Sequence, residues 1–373
     1  MKNLIISNSL WNIYNFRYKF IIELSKIGPV VIYCDFKKKS QINDKKLPKN
    51  VTIKNLNFSS KTKNLFKNIK LLFQFFQILK KEDPTNLFTF TLKPNLYCGI
   101  VNNFSSFSFF PTVSGLGTAK NRGGILFFFV KILMKFSFKN SKTIFVHNKY
   151  EKFFLKKIGL NSNKIVQING SGINLLKFNH LKYRKNICDN YLFVGRLISD
   201  KGIYELISAF KTFSKLIKKK IHLTLAVLVD EDNETSININ YLEKELSGSN
   251  ITIMKNVKNI RNLLKSHGCL ILPTYSEGMS RSIMEAISSA RPVICSNISG
   301  CKEMVINNFN GFLIKPKSIN SIYLALKKFN KLTFKDKIRF GRNSRYLAKK
   351  NRFDEKYVVS HYLNQIKNDE IYK

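Results

Sequence analysis

Short apolar runs, separated by helix-length segments along the whole chain, constrain the fold more than any other feature of this sequence. The runs are rich in β-branched and aromatic residues, and each is long enough for one strand. Strands that alternate with helices are typical of βαβ units and parallel sheets. The predicted strands are Leu4–Ser7, Val30–Cys34, Val51–Lys54, Leu87–Phe90, Phe107–Pro111, Thr143–Val146 and Ile165–Ile168, followed by Tyr191–Val194, Leu223–Val229, Ile251–Met254, Leu270–Leu272, Val293–Cys295 and Phe312–Ile314.

Two series of strands fit two doubly wound α/β domains better than one oversized sheet, and 373 residues allow two to three domains. The stretch 169–190 begins Asn-Gly-Ser-Gly and ends in polar residues, which is typical of a domain boundary. We therefore predict an N-terminal domain over residues 1–175, a C-terminal domain over 176–352 and a final helical segment over 353–373.

The charge of the chain is strongly positive, with 64 Lys and Arg against 23 Asp and Glu and a formal net charge of +41. Such a surface attracts polyanions, chiefly nucleic acid and the anionic face of a membrane. An AT-rich coding bias toward Lys, Asn, Ile and Phe would give the same composition. Charge therefore indicates a class of partner without choosing one.

The cysteines and histidines do not predict a metal site. Six cysteines are scattered without a CxxC pair or a Cys/His cluster, which indicates reduced thiols in a cytosolic protein. The five histidines form no ligand set by spacing. His147, near the end of a predicted strand, could line a ligand cleft, but it is interpreted as a structural histidine whose hydrogen bonds are satisfied. No secretory signal opens the sequence, and lysines interrupt its most lipid-like stretch, Ile125 to Phe138. We expect a soluble or peripheral protein.

A basic amphipathic helix is predicted over residues 65–81. Its apolar side would carry Leu65, Ile69, Leu72, Phe76 and Leu79, and its polar side Lys63, Lys67, Lys70, Gln74, Gln77 and Lys81. This pattern suits an anionic lipid surface, and it equally suits a helix packed on a sheet. The segment Phe127–Phe129 is either a second membrane contact or part of a buried helix.

Two cations, Arg196 and Lys201, follow a predicted strand that ends at Gly195. Doubly wound folds bind ligands in loops at the carboxyl ends of parallel strands. The arginine offers a forked donor for phosphate oxygens and the lysine a mobile point charge. Together they suit a nucleotide diphosphate, although two solvated cations would give the same pattern in so basic a chain.

A second constellation runs from Leu272 to Ala286 and joins a strand, a Ser-Glu-Gly turn and a helix that begins near Ser280. The N–H groups of a first helical turn and its positive dipole end favour phosphate or sugar oxygens. Glu277 lies on the turn and Glu285 two turns into the helix, so the two carboxylates can accept hydrogen bonds from different hydroxyls of one ligand. A capping acid and a surface acid are the structural alternative.

These motifs resemble those of retaining glycosyltransferases of family 4, whose GT-B fold has two Rossmann-like domains facing a central cleft. Order and spacing agree over roughly residues 190–316. The matching pieces are Gly195-Arg196…Lys201-Gly202, Glu277-Gly-x6-Glu285-Ala, Arg291-Pro-Val-Ile, Gly300-x-x-Glu303 and Asn310-Gly-Phe.

The resemblance implies roles for individual donor-site residues. Arg196 and Lys201 would hold the donor diphosphate, Glu277 would contact the transferred sugar, and Glu285 would bind the ribose hydroxyls. Arg196, Lys201 and Glu277 are therefore the expected catalytic residues. The expected donor-binding residues are Gly195, Glu285, Gly278, Met279, Ser280 and Arg281, the last three through backbone N–H groups.

The first half is similar to a narrower group that builds bacterial surface or lipid-linked glycans, including hexosamine and galactose transferases. Its motifs are Ser9-x-x-Asn12-x-x-Asn15-Phe16-Arg17, Thr91-x-Lys93-Pro94-Asn95 and Ser114-Gly-Leu-Gly117. The chain departs from many relatives because it lacks a Gly-Gly pair in the first loop and a histidine near the reacting sugar carbon, and because Met279 replaces a common proline. The expected acceptor-side residues are Asn12, Asn15, Lys93, Ser114 and Gly115.

The resemblance also implies a mechanism. We find no candidate protein nucleophile, so front-face transfer is expected, in which the leaving diphosphate oxygen helps to take the acceptor proton. No metal is required if Arg196, Lys201 and the helix start supply positive charge. The DxD pattern Asp230-Glu231-Asp232 follows a strand outside the context in which it chelates Mn²⁺, and we interpret it as a solvated loop.

Three other functions were weighed. A nucleic-acid-binding protein fits the charge, but the basic residues are not focused in a recognition motif. A dinucleotide-dependent oxidoreductase would need GxGxxG, which neither Gly115-Leu-Gly117 nor Gly170-Ser-Gly172 completes. A nucleotide-sugar epimerase or a phosphorylase would share the fold, although a phosphorylase would need a cofactor lysine pocket, which is not identifiable.

By resemblance, the donor is a nucleotide-sugar carried by UDP, the transferred group is a hexose or N-acetylhexosamine, and the acceptor is a lipid-linked or surface glycan. We expect no separate cofactor and no specific nucleic acid partner. We expect a cytoplasmic protein that is peripheral on the inner, anionic face of the cell membrane. The helical segment over 353–373 would cross back onto the first domain and allow the halves to close.

Overall fold

The structure, a computed structural model, describes residues 1–36, 46–56, 65–115, 124–231 and 233–367. Parts of several predicted features lie outside these ranges. They are Lys63 of the amphipathic helix, Leu116 and Gly117 of the Ser-Gly-Leu-Gly motif, Asp232 of the DxD pattern and residues 368–373 of the final segment.

The chain divides into two compact units. The first unit contains residues 1–172 and the segment that starts at Glu355, and the second contains Ile173–Asp354. The sequence-based boundaries were 175/176 and 352/353.

The first unit is built on a seven-stranded parallel sheet with the order β3-β2-β1-β4-β5-β6-β7. Its first six strands have the doubly wound order. Strands β1 to β3 are added toward one edge of the sheet and β4 to β6 toward the other, so the direction of winding reverses between β1 and β4. The strands are β1 Asn3–Ile6, β2 Val30–Cys34, β3 Val51–Asn55, β4 Asn86–Phe90, β5 Ser108–Val113, β6 Ile144–Val146 and β7 Ile165–Gln167.

The second unit repeats this order in a six-stranded parallel sheet, β10-β9-β8-β11-β12-β13, with the reversal between β8 and β11. Its strands are β8 Asn190–Arg196, β9 His222–Leu228, β10 Ile251–Lys255, β11 Cys269–Leu272, β12 Val293–Ser296 and β13 Gly311–Ile314. The prediction of two doubly wound parallel sheets is confirmed.

Helices connect the strands within each unit. In the first unit they are α1 Leu10–Asn12, a π-helical turn Ile13–Arg17, α2 Tyr18–Leu24, α3 Leu65–Glu82, α4 Leu92–Asn102, α5 Gly124–Phe138 and α6 Lys149–Lys157. In the second they are α7 Ile203–Leu216, α8 Ile239–Leu246, α9 Ile260–Ser266, α10 Arg281–Ser288, α11 Ile319–Lys331 and α12 Phe334–Lys350, and α13 Glu355–Lys367 returns to the first unit. Short 3₁₀ turns occur at Ser162–Lys164, Lys185–Ile187 and Ser199–Lys201.

The first sheet is buried on both faces, which explains why its strands are continuous apolar runs. Alternate residues of β1 point to opposite sides, so Leu4 packs with α3, α4, α5 and α6, and Ile5 packs with α1, α2 and α13. On the latter side Tyr362 of α13 is buried among aromatic rings of the sheet, with its ring centre 4.2 Å from that of Phe145. The return helix therefore belongs to the core of the first unit.

The amphipathic helix exists as α3, but the fold buries only part of its predicted apolar side. Leu79 of that side is buried and Leu72 packs partly buried against the core, whereas Ile69 and Phe76 are exposed. Phe75, which is outside the predicted side, is buried. Because α3 carries two apolar stripes, its periodicity alone cannot choose between them. Among the described residues, no helix combines the length and the apolar character that crossing a membrane requires.

Candidate functional site

The candidate donor site lies where the second sheet reverses its winding. β8 and β11 are neighbours there, with Tyr191 opposite Cys269 and Leu192 opposite Leu270. Because both strands run in the same direction, the loops that follow them leave from the same edge. These two loops, 197–202 and 273–280, lie within the two stretches that the sequence singled out.

Gly202 allows the two loops to touch. Its φ of +70° is left-handed, and a Cβ atom built on it would lie 2.3 Å from the carbonyl oxygen of Pro273. The loops are also joined by a hydrogen bond of 2.9 Å from the Tyr275 N–H to the carbonyl of Asp200. Lys201, between Asp200 and Gly202, is therefore fixed against the β11 loop.

An ion pair between Lys201 and Glu277 crosses from one loop to the other. The Lys201 Nζ is 2.5 Å from Glu277 Oε1, and the side chains are only 12% and 16% exposed. A largely buried pair depends on both partners because either charge left alone would be poorly solvated. Two residues 76 positions apart in sequence thus form one structural element of the site.

Gly300, in the loop after β12, supports the turn that carries Glu277. Its φ is +87°, and an added Cβ would lie 2.6 Å from the carbonyl oxygens of both Glu277 and Gly278. Its N–H donates to Glu303 Oε2 at 2.7 Å, and its carbonyl accepts from the Ser280 N–H at 3.0 Å. The matched Gly300-x-x-Glu303 pattern is therefore a backbone clamp for the Glu277 turn.

This clamp corrects the expectation for Ser280. Its backbone N–H was expected to face the donor, but it is already engaged by the Gly300 carbonyl. The side chain of Met279 is buried in the core of the second unit. The first turn of α10, which begins at Arg281, still supplies N–H groups that have no carbonyl partner within the helix.

Glu285 and Arg281 form an ion pair one turn apart on α10. The Arg281 Nε donates to Glu285 Oε1 at 2.9 Å, and Glu285 is almost completely buried. Burial raises the pKa of the Glu285 carboxyl, and Arg281 opposes that shift. The interpretation of Glu285 as a solvated surface acid is therefore wrong.

Arg196 has a carboxylate partner that the sequence did not predict. Its Nη1 is 3.2 Å from Asp230 Oδ2, which lies just beyond β9, the neighbour of β8. Asp230 is buried, whereas Arg196 is half exposed. The interpretation of Asp230 as a solvated residue is therefore wrong, because it orients a cation of the site.

Arg291 has a structural role. It is completely buried and donates to the carbonyls of Leu264 and Leu181 at 2.7 and 2.9 Å. Burial lowers the pKa of its guanidinium to about 10. Its donors join three segments of the second unit.

A second group of polar residues lies at the carboxyl edge of the first sheet. β1 and β4 are neighbours at its reversal, and the loops after them carry Asn12 and Thr91. Several buried polar atoms there have no hydrogen-bond partner among the described residues, and a polyhydroxylated ligand would satisfy such atoms. They are Ser7 Oγ, Asn8 Oδ1, Asn12 Oδ1, Thr91 Oγ1, His147 Nε2 and Glu151 Oε1.

The predicted acceptor-side residues follow three strands of this sheet. Asn12 ends α1 after β1, and Asn15 in the next turn donates to the Trp11 carbonyl at 3.0 Å. Lys93 lies at the start of α4 after β4, and its Nζ donates to Asn68 Oδ1 of α3 at 3.0 Å. The remaining two, Ser114 and Gly115, follow β5. Asn12, Lys93 and Ser114 thus reach the same edge, whereas Asn15 is exposed.

His147 and Glu151, just after β6, were not identified as site residues. His147 Nε2 has no partner among the described residues, so the interpretation of a satisfied structural histidine is wrong. Burial lowers the pKa of His147 to about 3, with a smaller effect from Arg17. Burial also raises the pKa of Glu151 to about 7, although its Oε2 accepts the His147 N–H at 2.8 Å. The only sequence signal was Asn148-x-x-Glu151, which is also typical of an ordinary helix cap.

The part of the chain that forms the candidate donor site is similar to a known protein family. Residues 180–346 match the family described as Glycosyl transferases group 1. The match lies within the second unit. The matched range contains every residue of the candidate donor site, from Gly195 to Glu303.

Two curated relatives carry names from polysaccharide and glycolipid biosynthesis. The chain is 28% identical over 181 residues to a capsular polysaccharide biosynthesis glycosyltransferase, CapM, of Staphylococcus aureus, a match that covers 48% of this chain and 46% of that protein. It is 24% identical over 323 residues to an N,N'-diacetylbacillosaminyl-diphospho-undecaprenol alpha-1,3-N-acetylgalactosaminyltransferase of Campylobacter jejuni, covering 82% and 83%. The chain therefore spans less than half of the first relative and most of the second.

A solved structure relates the whole chain to a known architecture. The crystal structure of Anabaena HepE in complex with UDP superimposes with a TM-score of 0.75 at 13% identity, covering 99% of this chain and 100% of that one. At this identity the similarity concerns the fold. Together with the two parallel sheets, it establishes the predicted GT-B fold.

Proposed function

We propose that this chain transfers a hexose or N-acetylhexosamine from a UDP-sugar to a lipid-linked or surface-glycan acceptor, with retention of configuration and without a metal ion. The observation that carries the proposal is the Lys201–Glu277 pair, held between two loops at the reversal of the second sheet. The domain match, the UDP complex of HepE and the names of the two relatives support it.

The donor diphosphate would bind by exchanging ion-pair partners. Arg196, Lys201 and Arg281 each have a carboxylate partner, which keeps these cations oriented before a ligand arrives. Arg196 is half exposed, so it can turn from Asp230 to a phosphate oxygen at little cost. Lys201 is more enclosed and would share its ammonium group between Glu277 and the diphosphate.

Glu285 would accept hydrogen bonds from the ribose hydroxyls. It lies on the helix whose first turn points N–H groups toward the same edge of the sheet, where anions are favoured. Arg281 opposes the effect of burial and helps to keep the carboxyl ionised. An ionised carboxylate is a stronger acceptor for hydroxyl groups than a neutral one.

The chemistry would be front-face transfer without a protein nucleophile. The bond between the anomeric carbon and the diphosphate oxygen breaks, the acceptor oxygen bonds to the same face of that carbon, and the acceptor proton passes to the departing diphosphate. Arg196 and Lys201 would stabilise the charge that develops on the leaving group. We expect Arg196→Ala and Lys201→Ala to slow turnover by roughly 10²–10³-fold, and activity should persist with a chelator present.

The acceptor glycan would bind at the carboxyl edge of the first sheet. The partnerless buried atoms there include the hydroxyls of Ser7 and Thr91 and the amide oxygen of Asn12. Sugar hydroxyls can both donate to and accept from such groups. Lys93 and Ser114 would contribute from neighbouring loops of the same edge.

The same proposal places the protein at the cytoplasmic face of the cell membrane, because a lipid-linked acceptor is confined to the bilayer. The nucleotide-sugar is a substrate, and no separate cofactor takes part. The net positive charge of the protein would serve binding to anionic lipids, and we expect no sequence-specific binding of nucleic acid.

The first experiment measures thermal stabilisation of the protein by UDP-, GDP- and CMP-sugars with a chelator present. A ligand at 100 times its Kd adds about 2.7 kcal/mol to the stability of the folded state. For a domain of this size that corresponds to an increase in Tm of roughly 5–10 °C. We expect UDP-sugars alone to give this shift and Glu285→Ala to abolish it.

Glu245→Gln is the matched control. Glu245 is also an ion-paired acid of the second unit, bonded to Lys211 on α7, but it is exposed. The control should keep the full UDP response. An increase in Tm with GDP- or CMP-sugars instead would show that the donor nucleotide is GDP or CMP and not UDP. An equal increase with UDP-sugars in the wild type and in Glu285→Ala would refute the donor site.

A further inference from the structure

Large apolar side chains are exposed on two helices of the first unit. Eight of them lie on the outward sides of α3 and α5, and each is between 40% and 83% exposed. They are Phe66, Ile69, Phe73, Phe76, Phe128, Phe129, Ile132 and Phe136. Large exposed apolar patches are uncommon on soluble proteins and often mark a site that binds a partner or a membrane.

The two helices belong to one layer on one face of the first sheet. Both pack on α4, which lies between them. A Cβ on Gly99 of α4 would be 2.4 Å from the Ser137 carbonyl of α5, and the ring of Tyr97 is 6.4 Å from that of Phe75 of α3. The outward sides of α3 and α5 therefore face solvent together, and we call their eight exposed apolar residues the aromatic face.

These side chains are not part of the buried core of the first unit. α3 already buries Leu71, Phe75 and Leu79, and α5 already buries Met134 and Phe138. The aromatic face is a second apolar stripe on each helix. Its apolar side chains are exposed to water, and a bound partner would shield them from it.

The helices that carry the aromatic face are rich in lysine. On α3 and α5, and just beyond α5, they are Lys67, Lys70, Lys80, Lys81, Lys131, Lys135 and Lys139. Of the two helices, α5 has no acidic residue and α3 has one, Glu82, which is buried and forms ion pairs with Lys2 and Lys54. The Nζ atoms of Lys131 and Lys139 lie 4.9 and 4.8 Å from the ring centres of Phe127 and Phe136.

We propose that the aromatic face seats the first unit on an anionic lipid bilayer, with the phenylalanine rings inserted at the level of the headgroups and the lysines against lipid phosphates. This rests on the proposed function, because it supplies the membrane contact that a lipid-linked acceptor requires. The complementarity of charge selects this partner, since aromatic rings interleaved with lysines match an interface that is apolar below and negatively charged above.

The test measures binding of the full-length protein to sedimented vesicles. The vesicles contain either a mixture of phosphatidylglycerol and phosphatidylethanolamine or phosphatidylcholine alone, and no acceptor glycolipid. We expect binding to the anionic vesicles only. Phe66→Ser/Phe73→Ser and Phe128→Ser/Phe129→Ser should each weaken it at least ~10-fold.

Matched controls separate the face from general exposure and general charge. Leu216→Ser/Tyr241→Ser removes two exposed apolar side chains of the second unit and should leave binding unchanged. Lys70→Gln/Lys131→Gln should weaken binding by roughly fivefold per lysine, whereas Lys218→Gln/Lys220→Gln should have a much smaller effect.

Three outcomes would overturn the proposal: unchanged vesicle binding in both phenylalanine variants, equal binding to neutral vesicles, or competition by RNA at equal charge concentration that depends on the same phenylalanines. Self-association that both phenylalanine pairs abolish, without vesicle binding by the wild type, would reassign the face to a second copy of the chain. Thermal stabilisation of the same variants by UDP-sugars is measured in parallel. Loss of vesicle binding with an intact UDP response separates the two proposals.

Discussion

Removal of the Lys201 ammonium should lower both the stability of the second unit and its affinity for a donor. In Lys201→Met the Glu277 carboxylate stays in place, 16% exposed, without the cation that is 2.5 Å away in the wild type. Loss of one partner of a buried pair costs 3–5 kcal/mol, and partial access to water places this pair near the lower end, at about 3 kcal/mol. For a unit of this size, Tm should fall by roughly 6–12 °C.

The double variant Lys201→Met/Glu277→Gln tests the cause of that loss. It removes both charges and keeps the shapes of the side chains, so most of the lost stability should return. UDP-sugar binding should not return, because the diphosphate still lacks its cation. A control cycle uses Lys211 and Glu245, which are 2.9 Å apart but 35% and 38% exposed, and Lys211→Met should cost less than about 1 kcal/mol.

The assay is thermal unfolding of the four proteins of each cycle, with and without UDP-sugar. A Lys201→Met protein as stable as the wild type would refute the argument from burial. A double variant as unstable as the single variant would show that packing of the lysine stem is what matters. A double variant that still responds fully to UDP-sugar would remove Lys201 from the donor site.

Two further predictions concern the backbone clamp and the titration of the first unit. Gly300→Ala should lower both Tm and UDP-sugar affinity, because its Cβ would lie 2.6 Å from the Glu277 carbonyl oxygen. Gly248→Ala is the control: its φ of +72° also strains an alanine, but open space surrounds it, so UDP-sugar affinity should stay unchanged. The raised pKa of Glu151, about 7 against 4.5 when unfolded, contributes stability that is complete below pH 4.5 and is lost as pH rises through 7, by roughly 3 kcal/mol in total. The lowered pKa of His147, about 3 against 6.5, contributes stability that is present above pH 6.5 and lost as pH falls toward 3, so the two effects oppose each other between pH 4.5 and 6.5. In that window Tm of Glu151→Gln should fall as pH decreases and Tm of His147→Gln should rise; flat Tm profiles in both variants would contradict the burial of these groups.

The strands could be predicted from sequence because both sheets are buried on both faces. A strand such as β2, Val30–Cys34, is then an uninterrupted apolar run that stands out from its amphipathic neighbours. The order of strands within each sheet could not be obtained from these runs. It follows from the crossover that passes from β3 to β4 beside β1, which no local pattern encodes.

The two loops of the candidate donor site could be singled out from sequence, but their contacts could not. The pairing of Lys201 with Glu277 arises from the adjacency of β8 and β11, and the engagement of the Ser280 N–H arises from the left-handed Gly300. Asp230 was interpreted as part of a solvated loop because its DxD pattern lies outside the context in which it binds a metal, whereas the structure places it beside Arg196. These are long-range consequences of topology.

At the carboxyl edge of the first sheet the limits were different. Motif residues such as Asn12 and Lys93 were visible in sequence, whereas His147 and Glu151 resembled an ordinary residue and a helix cap. Their distinguishing property is burial without complete hydrogen bonding, which only coordinates reveal. The same holds for α3, where burial determines which of two apolar stripes faces the sheet.

The return of α13 to the first unit has a consequence for synthesis on the ribosome. Tyr362, at the centre of the aromatic cluster of the first sheet, is translated after the whole of Ile173–Asp354. The continuous second unit can therefore mature while the first still waits for its last core helix. Domains ordinarily fold from the N-terminus onward during synthesis. Here the first unit is completed after the second, so the nascent first unit is the part that needs protection from aggregation.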